Sequence, residues 1–145
     1  MEGILFFIGG RLYTWFELLW RGRTHWTMFL VGGLCFVIMG LLNEYRYTWD
    51  MPLVRQSLIS AVIITGFEFV TGCIVNLWLG WDIWDYSDLP FNLFGQICLY
   101  YFFLWIPLSI LGILLDDWLR YLFYRLFHKI FPLMEKRERP QYRLF

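Results

Sequence analysis

The stretch TMFLVGGLCFVIMGLLN, residues 27–43, contains no charged side chain and decides the class of fold. A helix needs about 17 to 25 largely apolar residues to cross the hydrocarbon core of a bilayer. Residues 53–81 and residues 92–115 are also long and apolar enough to do so. The sequence therefore predicts an all-α integral membrane protein, in which these three stretches are transmembrane helices.

A fourth apolar stretch, residues 4–20, is interrupted by Arg11 and Glu17. Because charged groups are costly inside a bilayer, it is either a fourth span or a re-entrant or interfacial helix, and we count four. The composition agrees with a membrane protein, since 59% of the 145 residues are hydrophobic and only 17% are charged. Soluble domains carry about half apolar and about a quarter charged residues. The net charge of zero gives no indication of a nucleic-acid partner.

Basic residues collect after residue 115, which predicts a cytoplasmic C-terminus because Lys and Arg favour that side of a membrane. The loop 79–91 carries three aspartates and no basic residue, so it should face outward. Residues 118–131 have the pattern of an amphipathic helix, lying on the membrane surface or against a cytoplasmic partner. We therefore divide the chain into a four-helix transmembrane domain, 1–117, and a cytoplasmic amphipathic helix with a basic tail, 118–145.

Familiar catalytic and cofactor motifs are absent from the sequence, including the phosphate-binding, dinucleotide-binding and HExxH patterns. We therefore predict no bound cofactor, and a role other than catalysis is favoured. Metal binding stays open, because Glu17, His25, Glu68 and Asp85 are ligand types but come from distant segments. The three cysteines all fall within predicted spans, so we expect free thiols.

The polar residues within and beside the spans are the candidates for function, since ionisable groups inside a membrane are rare. Glu17, Arg21 and His25 follow each other at intervals of four, so a continuing helix would place them on one face. Glu68 lies inside the third span, with glycines on both sides that would permit close helix packing. Its alternatives are a structural hydrogen bond between helices, or a role as proton carrier or cation ligand.

The loop GWDIWDYSDLPFN, residues 80–92, concentrates aromatic and hydrogen-bonding groups just outside the predicted membrane. It is either an aromatic belt with a hydrophilic turn or a ligand-binding loop, and we favour the second. Together with the polar groups of the helices it predicts an outward-facing polar cavity. The predicted substrate-binding residues are Glu17, Arg21, His25, Glu68, Asn76, Trp81, Trp84, Asp85, Tyr86, Asn92 and Gln96.

Three blocks of sequence carry a family resemblance: residues 17–36, residues 64–76 and residues 80–99. Together they resemble the small bacterial multi-pass membrane proteins grouped as "putative ABC-transporter type IV", over about residues 9–120. The resemblance implies a permease-like protein of the bacterial inner membrane. The matching motif positions include the predicted binding residues and add Gly22, Thr24, Gly72, Pro90 and Gly95.

These observations predict a transporter component that binds a small polar or cationic solute in its outward cavity. Four spans form a small pathway, so we expect a homo-oligomer or a partner membrane subunit, with lipid around it. Two alternatives remain: a non-catalytic scaffold or accessory subunit, and an intramembrane enzyme that uses a metal or modifies lipid.

Overall fold

A computed structural model describes residues 1–44, 51–133 and 136–145 of the chain. Its helices are α1 (Glu2–Arg21), α2 (Trp26–Glu44), α3 (Leu53–Gly72) and α4 (Leu99–Phe127). A π-helical segment, Cys73–Trp78, continues α3, and the short strands β1 (Asn92–Leu93) and β2 (Ile97–Cys98) form an antiparallel hairpin before α4. The predicted helical fold is thus confirmed.

Helices α1 and α2 form a tightly packed pair because glycines remove side chains from their interface. A Cβ atom built on Gly33 of α2 would lie 2.6 Å from the backbone oxygen of Phe6 in α1. A Cβ on Gly10 of α1 would lie 2.6 Å from the backbone oxygen of Phe29 in α2. Since real side chains cannot approach so closely, this pair of helices depends on glycine.

Among the described residues, two helical stretches are long and apolar enough to cross a membrane: Leu53–Trp78 with 26 residues and Leu99–Phe127 with 29 residues. Only 33% and 22% of the residues in their most apolar windows are buried within the protein. Trp26–Leu42 of α2 is a shorter apolar helix. Among the described residues, α1 is not one of these candidate spans, because its charged residues lower its mean hydropathy.

The prediction that the C-terminal amphipathic helix is a separate element is wrong. Helix α4 runs without a break from Leu99 to Phe127, with Pro107 inside it. The predicted span and the predicted surface helix are therefore one element. The sequence suggests a break because the side chains become more charged after residue 115. The backbone nevertheless stays helical. The division of the chain between membrane and cytoplasm at residue 117 stays a prediction.

The predicted start of the last helix at residue 92 is also wrong. Asn92 instead begins the β-hairpin, where it pairs with Cys98. Positive φ angles at Phe94 and Gly95, 51° and 70°, turn the chain between the two strands. Such angles are incompatible with an α-helix, so the helix starts only at Leu99.

The C-terminal tail folds back against the start of α3. The backbone N–H of Leu53 donates to the backbone oxygen of Arg143 at 2.7 Å. The Arg139 guanidinium lies 5.4 Å from the centre of the Trp118 ring of α4. These contacts hold the tail against α3 and α4. Four spans with the loop 79–91 outside also predict an inner turn at residues 44–52, and this turn lies largely outside the described residues.

Candidate functional site

Glu68 of α3 is a buried carboxylate held by two neutral donors. Its side chain is 2% exposed. The Trp105 indole of α4 donates to Oε2 at 2.9 Å, and the Tyr86 hydroxyl of the loop after the π segment donates to Oε1 at 3.2 Å. Among the described residues, no cation lies within ion-pairing distance of it. Glu68 therefore joins α3, α4 and the loop through hydrogen bonds alone.

Tyr86 connects Glu68 to the end of α1. An Nη2 group of Arg21 donates to the Tyr86 hydroxyl, and the Arg21 guanidinium lies 5.3 Å from the centre of the Tyr86 ring. Burial raises the pKa of the Tyr86 hydroxyl above its usual value, and the nearby Glu68 carboxylate raises it further. The phenol therefore stays protonated and can donate to Glu68 while it accepts from Arg21.

The predicted stacking of Glu17, Arg21 and His25 is only partly right. Arg21 Nη1 lies 3.7 Å from Glu17 Oε1, as the helical spacing predicts. Helix α1 then ends at Arg21, and the C-cap residue Gly22 has a left-handed φ of 70°, which suits glycine. His25 therefore lies outside the helix. The hydroxyl of Thr24, which also lies beyond the end of the helix, donates to Glu17 at 2.9 Å.

A second group of buried polar side chains fixes the loop beneath the hairpin. Asn76 of the π segment donates to Gln96 Oε1 at 2.8 Å, and its own Oδ1 accepts from the backbone N–H of Ile83 at 2.8 Å. The Trp84 indole donates to the backbone oxygen of Gln96 at 2.9 Å. A Cβ on Gly72 would lie 2.5 Å from Gln96 Oε1. Gly72 thus permits the approach of the hairpin to α3.

Gly66, the other glycine near Glu68, has no such role. A Cβ built there would have nothing within 4 Å. The prediction that it permits close helix packing is wrong, because this face of α3 is open.

Asp85 and Asn92 stabilise the local shape of the loop. Asp85 is exposed and accepts from the backbone N–H of Ser87 at 2.8 Å, and this bond lowers the pKa of its carboxyl group. Asn92 donates to the backbone oxygen of Leu89 at 2.8 Å and accepts from Gly95 N–H at 3.0 Å. Both predicted binding residues therefore form their hydrogen bonds within the loop and the adjoining hairpin.

A polar cavity of about 190 Å³ lies between the end of α1 and the loop. Trp81 and His25 face each other there, with ring centres 5.5 Å apart. Four of the predicted binding residues, Glu17, Arg21, His25 and Trp81, thus meet at one cavity. Its lining residues are Glu17, Arg21, Arg23, Thr24, His25, Trp81, Asp82 and Ile83.

A larger cavity of about 320 Å³ lies among the four helices, and its walls are almost entirely apolar. Glu68 lines it, with Tyr13 and Trp105 beside it. A cleft of about 20 Å³ is lined by Tyr13 and Trp105 at one side and by Glu17 and Arg21 at the other. Because these residues are shared with the two larger cavities, the three spaces follow one another along α1.

The metal site that the sequence left open is not formed by its candidate ligands. In the part of the chain that the structure describes, no three His, Cys, Asp or Glu residues come close enough to hold a metal ion. Glu17 and Glu68 lie on different helices, with Arg21 and Tyr86 between them in the chain of contacts. Asp85 points to its own loop.

A cluster at the other end of the helices was missed by the sequence analysis. Arg120 of α4 donates to both carboxylate oxygens of Glu2 in α1, at 2.6 and 2.9 Å. Its Nε donates to Asp116 at 2.6 Å. The spacing of four between Asp116 and Arg120 was a signal for this pair, whereas nothing in the sequence indicated that Glu2 would join it.

Trp105, Tyr101 and Ser109 were also missed, because they lie in a stretch without charge. Tyr101 stacks on Tyr86, with ring centres 4.7 Å apart, and Trp105 binds Glu68 directly. Ser109 is 0% exposed and lines the large cavity. Only the packing of α4 against α1 and α3 brings these residues to the site.

The fold and the site together define an all-α protein with two helices suited to a membrane and a buried carboxylate beside a cavity. The chain belongs to the family described as "Putative ABC-transporter type IV", whose model matches residues 4–135. This match confirms the resemblance seen in the sequence and extends it at both ends. No curated protein and no solved structure matches the chain.

Proposed function

We propose that this protein is the membrane component of a bacterial inner-membrane transporter, and that a small cationic solute binds beside Glu68. Family membership supports a transporter-related role. Most residues in the apolar windows of α3 and α4 are not fully buried within the protein, and soluble monomers rarely expose large apolar patches. Lipid around these helices accounts for that exposure. The cytoplasmic position of the basic C-terminus belongs to this proposal, as do the four spans.

The observation that carries the proposal is the position of Glu68 on the wall of the large cavity, with Tyr86 and Arg21 between it and the polar cavity. The 320 Å³ cavity reaches its carboxylate from one side. Arg21 and Tyr86 separate it from the 190 Å³ polar cavity beside His25. A cation attracted to Glu68 would compete with Arg21 for the hydroxyl oxygen of Tyr86. The contact between Arg21 and Tyr86 would then loosen. The Arg21–Tyr86 contact is therefore suited to act as the closure between the inner site and an outward polar vestibule.

The predicted binding residues divide into three groups under this proposal. Glu68 and Tyr86 contact the solute or its closure, and Glu17, Arg21, His25 and Trp81 form the vestibule. The remaining predicted residues, Asn76, Trp84, Asp85, Asn92 and Gln96, hold the loop in position. One copy offers only a narrow pathway, so we expect it to work as a homo-oligomer or beside a partner subunit.

The test is the flux of radiolabelled tetramethylammonium into liposomes that contain the full chain. Glu68→Gln keeps the size of the side chain and removes the negative charge, so the flux should fall at least tenfold. Asp88→Asn removes a charge of the same sign from the exposed loop and should leave the flux unchanged. If Glu68→Gln carries the cation as fast as the unmodified chain, the assignment of Glu68 is wrong.

A scaffold is the second candidate, and one observation favours it. Both oxygens of Glu68 accept hydrogen bonds, and the donors come from the loop and from α4. A residue that only holds segments together would be satisfied in the same way. In that case the unmodified chain adds no flux over empty liposomes, and Glu68→Gln lowers the thermal unfolding temperature instead.

A further inference from the structure

The large cavity has the chemistry of a site for an amine with a hydrocarbon chain. Of the described residues that line it, Glu68 is the only charged one. Tyr13 and Trp105 stack beside that carboxylate, with ring centres 5.9 Å apart and planes 24° from parallel. Aromatic faces and carboxylates both attract ammonium groups, and the rest of the wall is apolar.

Ser109 provides an independent observation. Its side chain is 0% exposed and lines the same cavity, yet its hydroxyl has no hydrogen-bond partner in the described protein. A buried polar group without a partner costs about 1–3 kcal/mol. A ligand that brings a hydrogen-bond donor to this depth would remove that cost. An ammonium group carries only donors, so it suits both Ser109 and Glu68.

The cavity reaches the protein surface between α1 and α4. Its outermost lining residues, Trp15, Leu19 and Leu111, are 63%, 70% and 63% exposed, and all are large and apolar. A surface of this kind faces hydrocarbon in a membrane protein. The opening is therefore placed for entry from the side, out of the lipid.

The size of the cavity suits a small ligand. Its volume of about 320 Å³ lies within the range of about 300–1,000 Å³ that small-molecule pockets have, which is enough for a single alkyl chain.

We propose that this cavity binds a single-chain lipophilic amine, which enters sideways from the bilayer and places its ammonium group between Glu68, Ser109 and the rings of Tyr13 and Trp105. This inference rests on the proposed function, because it names the class of cation that the transporter takes. The hydrocarbon part of the ligand fills the apolar space. The polar vestibule beside His25 then serves release of the cation on the outward side.

The experiment measures retention of three radiolabelled probes by nanodiscs that contain the full chain, with retention by empty nanodiscs subtracted. Octylamine has both the charge and the chain, octanol has the chain alone, and methylamine has the charge alone. Octylamine should be retained at least tenfold more than either control. Equal retention of octanol and octylamine would overturn the proposal. This comparison uses the unmodified chain, so it holds whether or not any variant folds.

Two variants and a matched control then locate the ligand. Glu68→Gln should abolish the preference for octylamine over octanol. Gly112→Leu fills the cavity, since a Cβ there meets only the flexible end of Met39, at 3.1 Å, and it should reduce octylamine retention several-fold. Gly66→Leu makes the same change on an open face of α3 and should retain octylamine like the unmodified chain. Retention that survives both Glu68→Gln and Gly112→Leu would place the amine elsewhere and refute this site.

The two proposals can fail separately. Glu68-dependent retention of octylamine without any flux of tetramethylammonium would support the amine site and contradict the transporter. Glu68-dependent flux of tetramethylammonium, together with equal retention of octylamine and octanol, would contradict the amine site and leave the transporter in place.

Discussion

The protein has two clusters around acidic side chains, one at each end of its helices, and the two clusters hold these side chains differently. At one end, Arg120 binds Glu2 through two hydrogen bonds and Asp116 through a third. At the other, Glu68 is held by the neutral groups of Tyr86 and Trp105. The first cluster has its cation built in. The second has acceptors beside a cavity and no cation in ion-pairing distance among the described residues.

This difference separates a structural role from a binding role. A buried ion pair is costly to break, because the partner left behind is an uncompensated charge. Such a cluster fixes α1 against α4 and leaves little freedom for exchange. A carboxylate held by neutral donors keeps its attraction for a cation from outside. We therefore expect mutations at the first cluster to change stability most, and mutations at the second to change binding most.

The largest expected effect comes from Arg120→Ala. It leaves Asp116, which is 0% exposed, and Glu2 without their cation, and the free energy of unfolding should fall by about 3–5 kcal/mol. Chemical unfolding of the purified protein in detergent measures this change. Arg125→Ala, on the exposed side of the same helix, is the control and should have little effect. Equal stability of the two variants would show that the Arg120 cluster is not structural.

A smaller loss of stability is expected for Trp105→Phe. A smaller aromatic ring replaces the indole, so Glu68 loses the N–H donor at 2.9 Å, and an unsatisfied buried polar group costs about 1–3 kcal/mol. The same unfolding measurement applies. Trp118→Phe makes the same change at a partly exposed position of α4 and should cost less. A loss at Trp105 that matches or exceeds the loss for Arg120→Ala would break the distinction between the two clusters.

The smallest effect is expected at Asp85, which is exposed on the loop. The backbone N–H of Ser87 lowers the pKa of its carboxyl below the ordinary 3.8. A group whose pKa is lower in the folded state stabilises the fold above its unfolded pKa, and this stabilisation is lost as the pH falls through the folded pKa. Asp85→Asn should therefore lower the unfolding temperature slightly at pH 7. The difference should vanish below that folded pKa, and a difference that persists there would have another cause.

The sequence predicted the helices better than their boundaries. Runs of apolar residues located all four, because hydrophobic length is a local property that composition reveals. The prediction of helix from sequence failed at residues 92–98, where the backbone forms a hairpin that turns at Phe94 and Gly95. The sequence also predicted two separate helices on either side of residue 115. The side-chain composition changes there, but α4 continues without a break.

For the candidate site, the sequence identified the charged half and missed the neutral half. Glu17, Arg21 and Glu68 stand out because ionisable groups are rare in apolar stretches. Trp105 and Ser109 do not stand out, since aromatic residues and serines are common in such helices. Their roles depend on which face of α4 meets α3, and no local pattern specifies that face.

By itself, therefore, the sequence determined that the protein is helical and apolar, that it belongs to a transporter-related family and that Glu68 is exceptional. Those conclusions follow from composition, motif and the cost of charge in an apolar environment. The tertiary structure alone decided that Glu68 meets neutral donors while Arg120 meets two carboxylates. The reason is that hydrogen bonds form between atoms brought together by packing, across separations of up to 118 residues in the chain.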